Sequence, residues 1–155
     1  MNNLKATQLG IDESNKPLSF QHTPITQEGY YKATFEPEFP PITSFKPNQY
    51  FYESFTENSV SVIARHQAEG VFYQLGFVLP RKIESGGYDI EDWGDGKVSA
   101  HVIAEGVVFA GKQGKIDLTR TENLIVATFN FEITHGGTLY KVQNGKLSLE
   151  ATGDL

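Results

Sequence analysis

The chain has 155 residues, 39% hydrophobic and 12% aromatic, enough apolar surface for a folded core and unlike a disordered segment. A formal net charge of −6, with a sequence pI near 5.2, argues against nucleic acid or an anionic membrane as the main partner. With no cysteine, disulfides and thiolate metal sites are excluded.

The charge is even: residues 1–78 carry 5 Lys/Arg and 8 Asp/Glu, and residues 79–155 carry 8 and 11. No run approaches the roughly 20 apolar residues of a membrane helix. The N-terminus lacks the apolar stretch of a secretory signal. A soluble cytoplasmic protein with no membrane span is therefore the expectation.

Residues 1–16 are polar and aperiodic and read as a flexible N-terminal arm, leaving 17–155 as one all-β domain. A first strand is expected from Pro17 to Thr23, and a better one from Gly29 to Phe35, where Tyr31, Ala33 and Phe35 share a side. Four prolines between Glu36 and Pro47 forbid a central strand or helix interior, so this is a surface loop. Gln49–Phe55 returns to strand composition. Asn58–Ala68 and Val71–Leu79 form a hairpin about Glu69 and Gly70, which opposes Ala64 to Leu75, Val62 to Phe77, Val60 to Leu79 and His66 to Tyr73. Pro80–Lys97 reads as irregular. Val98–Ala104 alternates, Gly106–Ala110 continues it through a glycine bulge, and Gln113–Thr119 sets Ile116 and Leu118 on one face.

Leu124–Ala151 (LIVATFNFEITHGGTLYKVQNGKLSLEA) is the most tightly specified stretch. It reads as three strands about two-residue turns at Gly136-Gly137 and Asn144-Gly145. The first turn opposes Ile133 to Tyr140, Glu132 to Lys141 and Phe131 to Val142. The second opposes Val142 to Leu147 and Tyr140 to Leu149. Together they place Phe129, Phe131, Ile133, Tyr140, Val142, Leu147, Leu149 and Ala151 on a dry face, and Thr128, Asn130, Glu132, Lys141 and Ser148 on a wet one. No stretch has a 3.6-residue apolar period. Nine or ten short strands predict an antiparallel β-sandwich or flattened barrel.

The stretch richest in chemistry is Tyr88–Gly96, with Asp89, Glu91, Asp92, Asp95 and Trp93. Counted from Asp89, EF-hand spacing fails, because position 12 is Ala100 and supplies no bidentate carboxylate. Trp93 with Asp89, Asp92 and Asp95 instead resembles a sugar platform, against the plainer reading of a solvated turn anchored by its tryptophan. Glu36 and Glu38 flank Pro37 without the defined separation that a glycosidase pair needs. His22, His66, His101 and His135 lie on separate elements and read as structural. Aromatic residues crowd residues 30–55. Since Tyr50, Phe51 and Tyr52 must alternate faces, either both faces are covered there or an aromatic patch is exposed. Phe39, Phe45, Tyr50 and Tyr52 are the candidate contacts.

Gly114–Thr119 (GKIDLT), Ala127–Glu132 (ATFNFE) and Gly137–Leu149 (GTLYKVQNGKLSL) resemble the C-terminal half of small bacterial all-β domains of unknown function. The resemblance implies a meander and brings no functional residue. The function expected is a non-enzymatic binding protein using a loop-borne aromatic surface, with an unknown protein or small ligand as partner and no cofactor. The alternative is a small-molecule or carbohydrate carrier, and a hydrolase built from scattered carboxylates and histidines is third. Pairing of a second copy along an edge strand is a further expectation.

Overall fold

Alternating apolar and polar residues make each strand dry on one side, and the chain buries those sides by facing two sheets together. The computed structural model describes residues 6–14, 16–17, 30–39, 42, 45–68, 71–94, 96–153 and 155. Its strands are β1 (Tyr30–Glu36), β2 (Gln49–Thr56), β3 (Ser59–Ala68), β4 (Val71–Pro80), β5 (Gly86–Ile90), β6 (Ser99–Ala104), β7 (Val107–Ala110), β8 (Lys112–Thr121), β9 (Leu124–His135) and β10 (Thr138–Glu150). The first sheet has the order β1-β10-β9-β8-β5 and the second β2-β3-β4-β6-β7, with neighbouring strands antiparallel throughout. The architecture is a β-sandwich.

Aromatic rings interdigitate across the interior. Phe77 of the second sheet meets Phe129 and Phe131 of the first at centroid distances of 4.8 and 5.8 Å. Tyr31 crosses the same gap edge-on to Phe129, and its hydroxyl donates to the Val62 carbonyl at 3.2 Å. Burial pushes the Tyr31 phenol well above its ordinary pKa, so it remains a donor. At one end of the sandwich Arg120 donates to the Tyr52 hydroxyl and to the carbonyls of Arg81 and Ile83. These bonds tie β8 to the turn after β4.

The hairpin of β3 and β4 has the expected register, from His66 opposite Tyr73 to Val60 opposite Leu79. So does the hairpin of β9 and β10, where Gly136 and Gly137 both have positive φ, as a type I′ turn requires. Three features differ from the sequence reading. Asn144-Gly145 is a bulge within the continuous strand β10, with Asn144 at φ 57°. Glu105-Gly106 is a tight turn between β6 and β7, where the sequence predicts a bulge. The nominally irregular Pro80–Lys97 contains β5, an edge strand paired with β8, whose Ile90 also makes a single parallel bridge to Val98. Most of the strand expected from Pro17 to Thr23 lies outside the described residues.

The central strands of the second sheet are buried on both faces. Residues Ala6–Leu9 form a 3-10 turn over its outer side, where Leu9 and Ile11 cluster with Val78 and Ile103. Beneath this strap lies a buried polar chain. Arg65 Nε donates to Gln74 Oε1 at 2.9 Å, and Gln74 Nε2 donates to His101 Nε2 at 2.9 Å. An amide nitrogen only donates, so the imidazole proton sits on Nδ1, which is buried without a hydrogen-bond partner. The Arg65 guanidinium lies 4.9 and 5.2 Å from the ring centroids of Phe51 and Phe72. Gly76 leaves room for the imidazole, since a Cβ there would stand 2.8 Å from His101 Cε1.

Burial, and then the charge of Arg65, lower the His101 pKa from 6.5 to about 3. The unfolded chain therefore takes up this proton first. The stability involved is complete above about pH 6.5 and is lost as pH falls toward about 3. Urea midpoints measured across that window are expected to fall more steeply for the wild-type protein than for His101→Gln. The difference should reach a few kcal/mol at the acid end. Parallel pH profiles would show that His101 does not carry the effect.

Candidate functional site

The first sheet turns its outer face to solvent, and two bulges shape that face. Between Val142 and Gly145, β10 gains one residue relative to β9, and between Lys112 and Lys115, β8 does the same. The extra residue of β10 falls opposite Asn130, and that of β8 opposite the next residue, Phe131. Each bulge has a left-handed polar residue followed by glycine: Asn144 at φ 57° before Gly145, and Gln113 at φ 52° before Gly114. The glycines are there because neither site has room for a Cβ, against backbone at Gly114 and against an aromatic ring at Gly145. A Cβ on Gly114 would lie 2.0 Å from the Asn130 carbonyl oxygen, and one on Gly145 would lie 2.4 Å from the Phe129 ring.

The register arranges the outward side chains in rows across the sheet. One row runs Glu36, Lys141, Glu132, Lys112, with charges that alternate and cancel. The row containing Lys32, Lys146, Thr128 and Asp117 does not cancel, because Lys32 and Lys146 are direct cross-strand partners. Like charges so placed destabilise a sheet by a few tenths of a kcal/mol to about 1 kcal/mol. Between these rows lie Thr34 opposite Gln143, and Asn130 opposite Lys115, which is opposite Asp89. Among the described residues no carboxylate forms an ion pair with Lys32, Lys115 or Lys146. The Lys32 ammonium lies 5.2 Å from the Tyr30 ring centroid, and Tyr30 is exposed at the rim.

Two adjoining depressions follow. One of about 730 Å³ lies over β1, β10, β9 and β8, lined by Lys32, Thr34, Thr128, Asn130, Gln143 and Lys146 among others. A second of about 480 Å³ is lined by Asp89, Ile90, Gln113, Gly114, Lys115 and Asn130. Sharing Lys115 and Asn130, they form one groove. Lys32 and Lys146 stand at one end, amides and hydroxyls occupy the middle, and Asp89 and Asp117 stand with Lys115 at the far end. Such a surface can hold an anionic group at the lysine end and hydroxyl groups along the remainder.

Of the residues singled out from sequence, Asp89 is brought to this groove. Trp93 is half-buried against the Leu9, Ile11, Val78 and Ile103 cluster, which is the anchoring role of the plainer reading. Asp92 is exposed in the bend after β5, and Asp95 lies outside the described residues. Phe39 is fully buried among Phe35, Phe109 and Tyr140, with centroid distances of 5.3, 5.8 and 4.9 Å. Tyr52 is also fully buried, and Phe45 and Tyr50 are half-buried against the same core. Phe51 points to the opposite side and is covered there too, so both faces of β2 are occupied. No group of three or more His, Asp or Glu side chains among the described residues is placed to hold a metal ion.

The lysines were missed because each is unremarkable in its own strand. Lys32 and Lys146 become neighbours only when β1 pairs with β10. The legible signal was the wet face of β9, where Thr128 and Asn130 alternate with buried apolar residues. Comparison with protein families, curated proteins and solved structures gives no match, so the site is read from its geometry alone. No helix among the described residues is long and apolar enough to cross a membrane.

The bulge glycines differ in kind from the turn glycines. Gly136→Ala puts a Cβ into open space at φ 59° and is expected to cost about 1 kcal/mol. Gly114→Ala must force two backbones apart and is expected to cost about 3 kcal/mol or more. Urea denaturation of both variants measures the gap, and equal midpoints would contradict the close approach at Asn130.

Proposed function

We propose that the protein is a non-enzymatic binding domain whose ligand is an acidic oligosaccharide held in the groove of the first sheet. The observation that carries this reading is the Lys32–Lys146 pair, set side by side without a carboxylate while the row at Glu36–Lys112 is fully alternated. An anionic group seated between the two ammoniums relieves their repulsion. Asn130, Gln143, Thr34 and Thr128 supply donors and acceptors for sugar hydroxyls, and Asp89 and Asp117 accept hydroxyl protons at the far end. The reading belongs with the carbohydrate-binding alternative, with the ligand held on an outer face. The interior itself is taken up by aromatic packing.

Calorimetric titration with a tetragalacturonate and with a neutral tetrasaccharide, at roughly 20 mM salt where surface charges are weakly screened, tests it. The acidic ligand is expected to bind, and to weaken as salt is raised. The double variant Lys32→Ala/Lys146→Ala is expected to lose about tenfold or more in affinity, ~1.4 kcal/mol, while keeping its thermal stability because a repulsive pair has been removed. Lys112→Ala, in the neutralised row, is expected to bind as the wild type does. Equal binding of the neutral sugar, or unchanged binding by the double variant, contradicts the reading.

A further inference from the structure

The outer face of the second sheet holds the strap in the manner of a receptor holding a peptide. Three consecutive main-chain carbonyls of the strap are each taken by a different side chain of the sheet. Ser61 Oγ donates to Gln8 at 2.5 Å, Gln74 Nε2 to Leu9 at 2.7 Å and Arg65 Nη2 to Gly10 at 2.8 Å. The side chains of Leu9 and Ile11, 5% and 2% exposed, fill the apolar part of the face beside Val78 and Ile103. Backbone capture combined with side-chain pockets is the division of labour seen in peptide recognition.

Within the strap Gly10 donates to Thr7, and Ile11 to Ala6, at 3.0 and 3.1 Å. The strap belongs to no strand ladder: the sheet beneath it pairs β2, β3, β4, β6 and β7 with one another. Its removal therefore breaks no ladder, and the sheet keeps all its strand pairings. The strap is joined to β1 through residues 12–29. A chain of that length spans about 60 Å when extended, enough to reach the same face on a neighbouring molecule.

We propose that this face is a peptide-binding groove with residues 6–11 as its tethered occupant, and that it accepts the same segment from a second copy of this chain. Exchange of an identical element between copies needs no new complementarity, since the contacts in trans repeat those in cis. The tether keeps the local concentration of the strap high, so exchange is favoured at high protein concentration or when the strap in cis is weakened. The inference is independent of the saccharide groove, which lies on the other sheet.

The protein carries its own reporter, because its only tryptophan, Trp93, packs at the edge of the strap cluster. Full-length Leu9→Asp/Ile11→Asp, checked for native circular dichroism, is titrated with a synthetic peptide of residues 1–14 while Trp93 emission is followed. A saturable emission shift is expected. It should be at least tenfold weaker for the peptide carrying Leu9→Asp, and weaker for the wild-type chain, whose groove is already filled. No shift in a natively folded variant overturns the proposal. Should that variant unfold, hydrogen exchange of the wild-type protein decides. The Gly10 and Ile11 amides are expected to exchange at least a hundredfold faster than those of Ile63 and Phe77, through openings that leave the sheet intact. Exchange of both sets only by global unfolding overturns the proposal.

Discussion

The long strands of the first sheet are governed by one geometric constraint at Asn130 and Phe131. β10 inserts an extra residue opposite the first and β8 opposite the second, one from either side. A strand alternates faces with a period of two, so each insertion reverses the parity of everything beyond it. Leu147 and Leu149 point inward. Without the bulge Lys141 would follow them into the core, and Tyr140 and Val142 would face water. With it, Tyr140 and Val142 are buried and Lys141 is exposed. The Gln113-Gly114 bulge does the same for Lys112, which would otherwise share the inward side of Ile116 and Leu118. The bulges thereby keep the sandwich dry over strands of 12 and 13 residues, and they shape the groove on the other side.

Parity makes the dry face legible in the sequence and leaves the connectivity open. A two-residue turn and a one-residue bulge both flip the face, and both accept a left-handed residue followed by glycine. Asn144-Gly145 and Glu105-Gly106 therefore look alike locally and exchange the roles that local pattern suggests. Long-range pairing decides between them. The two halves of β10 are flanked along their length by β9 and β1, with Tyr31 opposite Leu147 and Phe35 opposite Val142. That burial rewards a continuous strand. Among the described strands β7 hydrogen-bonds to β6 alone, so the chain folds back there. β5 was hidden for a related reason: Gly86 and Gly87 fall in a stretch that reads as irregular, yet on an edge strand beside β8 they suit a ladder.

The outer surfaces of the two sheets have separate characters. On the second sheet a strap covers a buried Arg65–Gln74–His101 chain, and on the first a polar groove is open. Aromatic residues, conspicuous in the sequence between Tyr30 and Phe55, are mostly spent on holding the sheets together and on packing beneath the strap. What was visible of the groove in the sequence was its polarity on β9. Its charge was hidden, because Lys32 and Lys146 are separated by most of the chain and meet only through the pairing of β1 with β10.

The most direct measurement of the central claim is an amide-resolved nuclear magnetic resonance titration of the full chain with the acidic oligosaccharide. Shifts that saturate together are expected at Lys32, Thr128, Asn130, Gln143, Asn144 and Lys146, with Trp93 and Ile103 unmoved. Shifts centred on Trp93, or on Phe39 and Tyr52, with the Asn130 region silent, would contradict the claim.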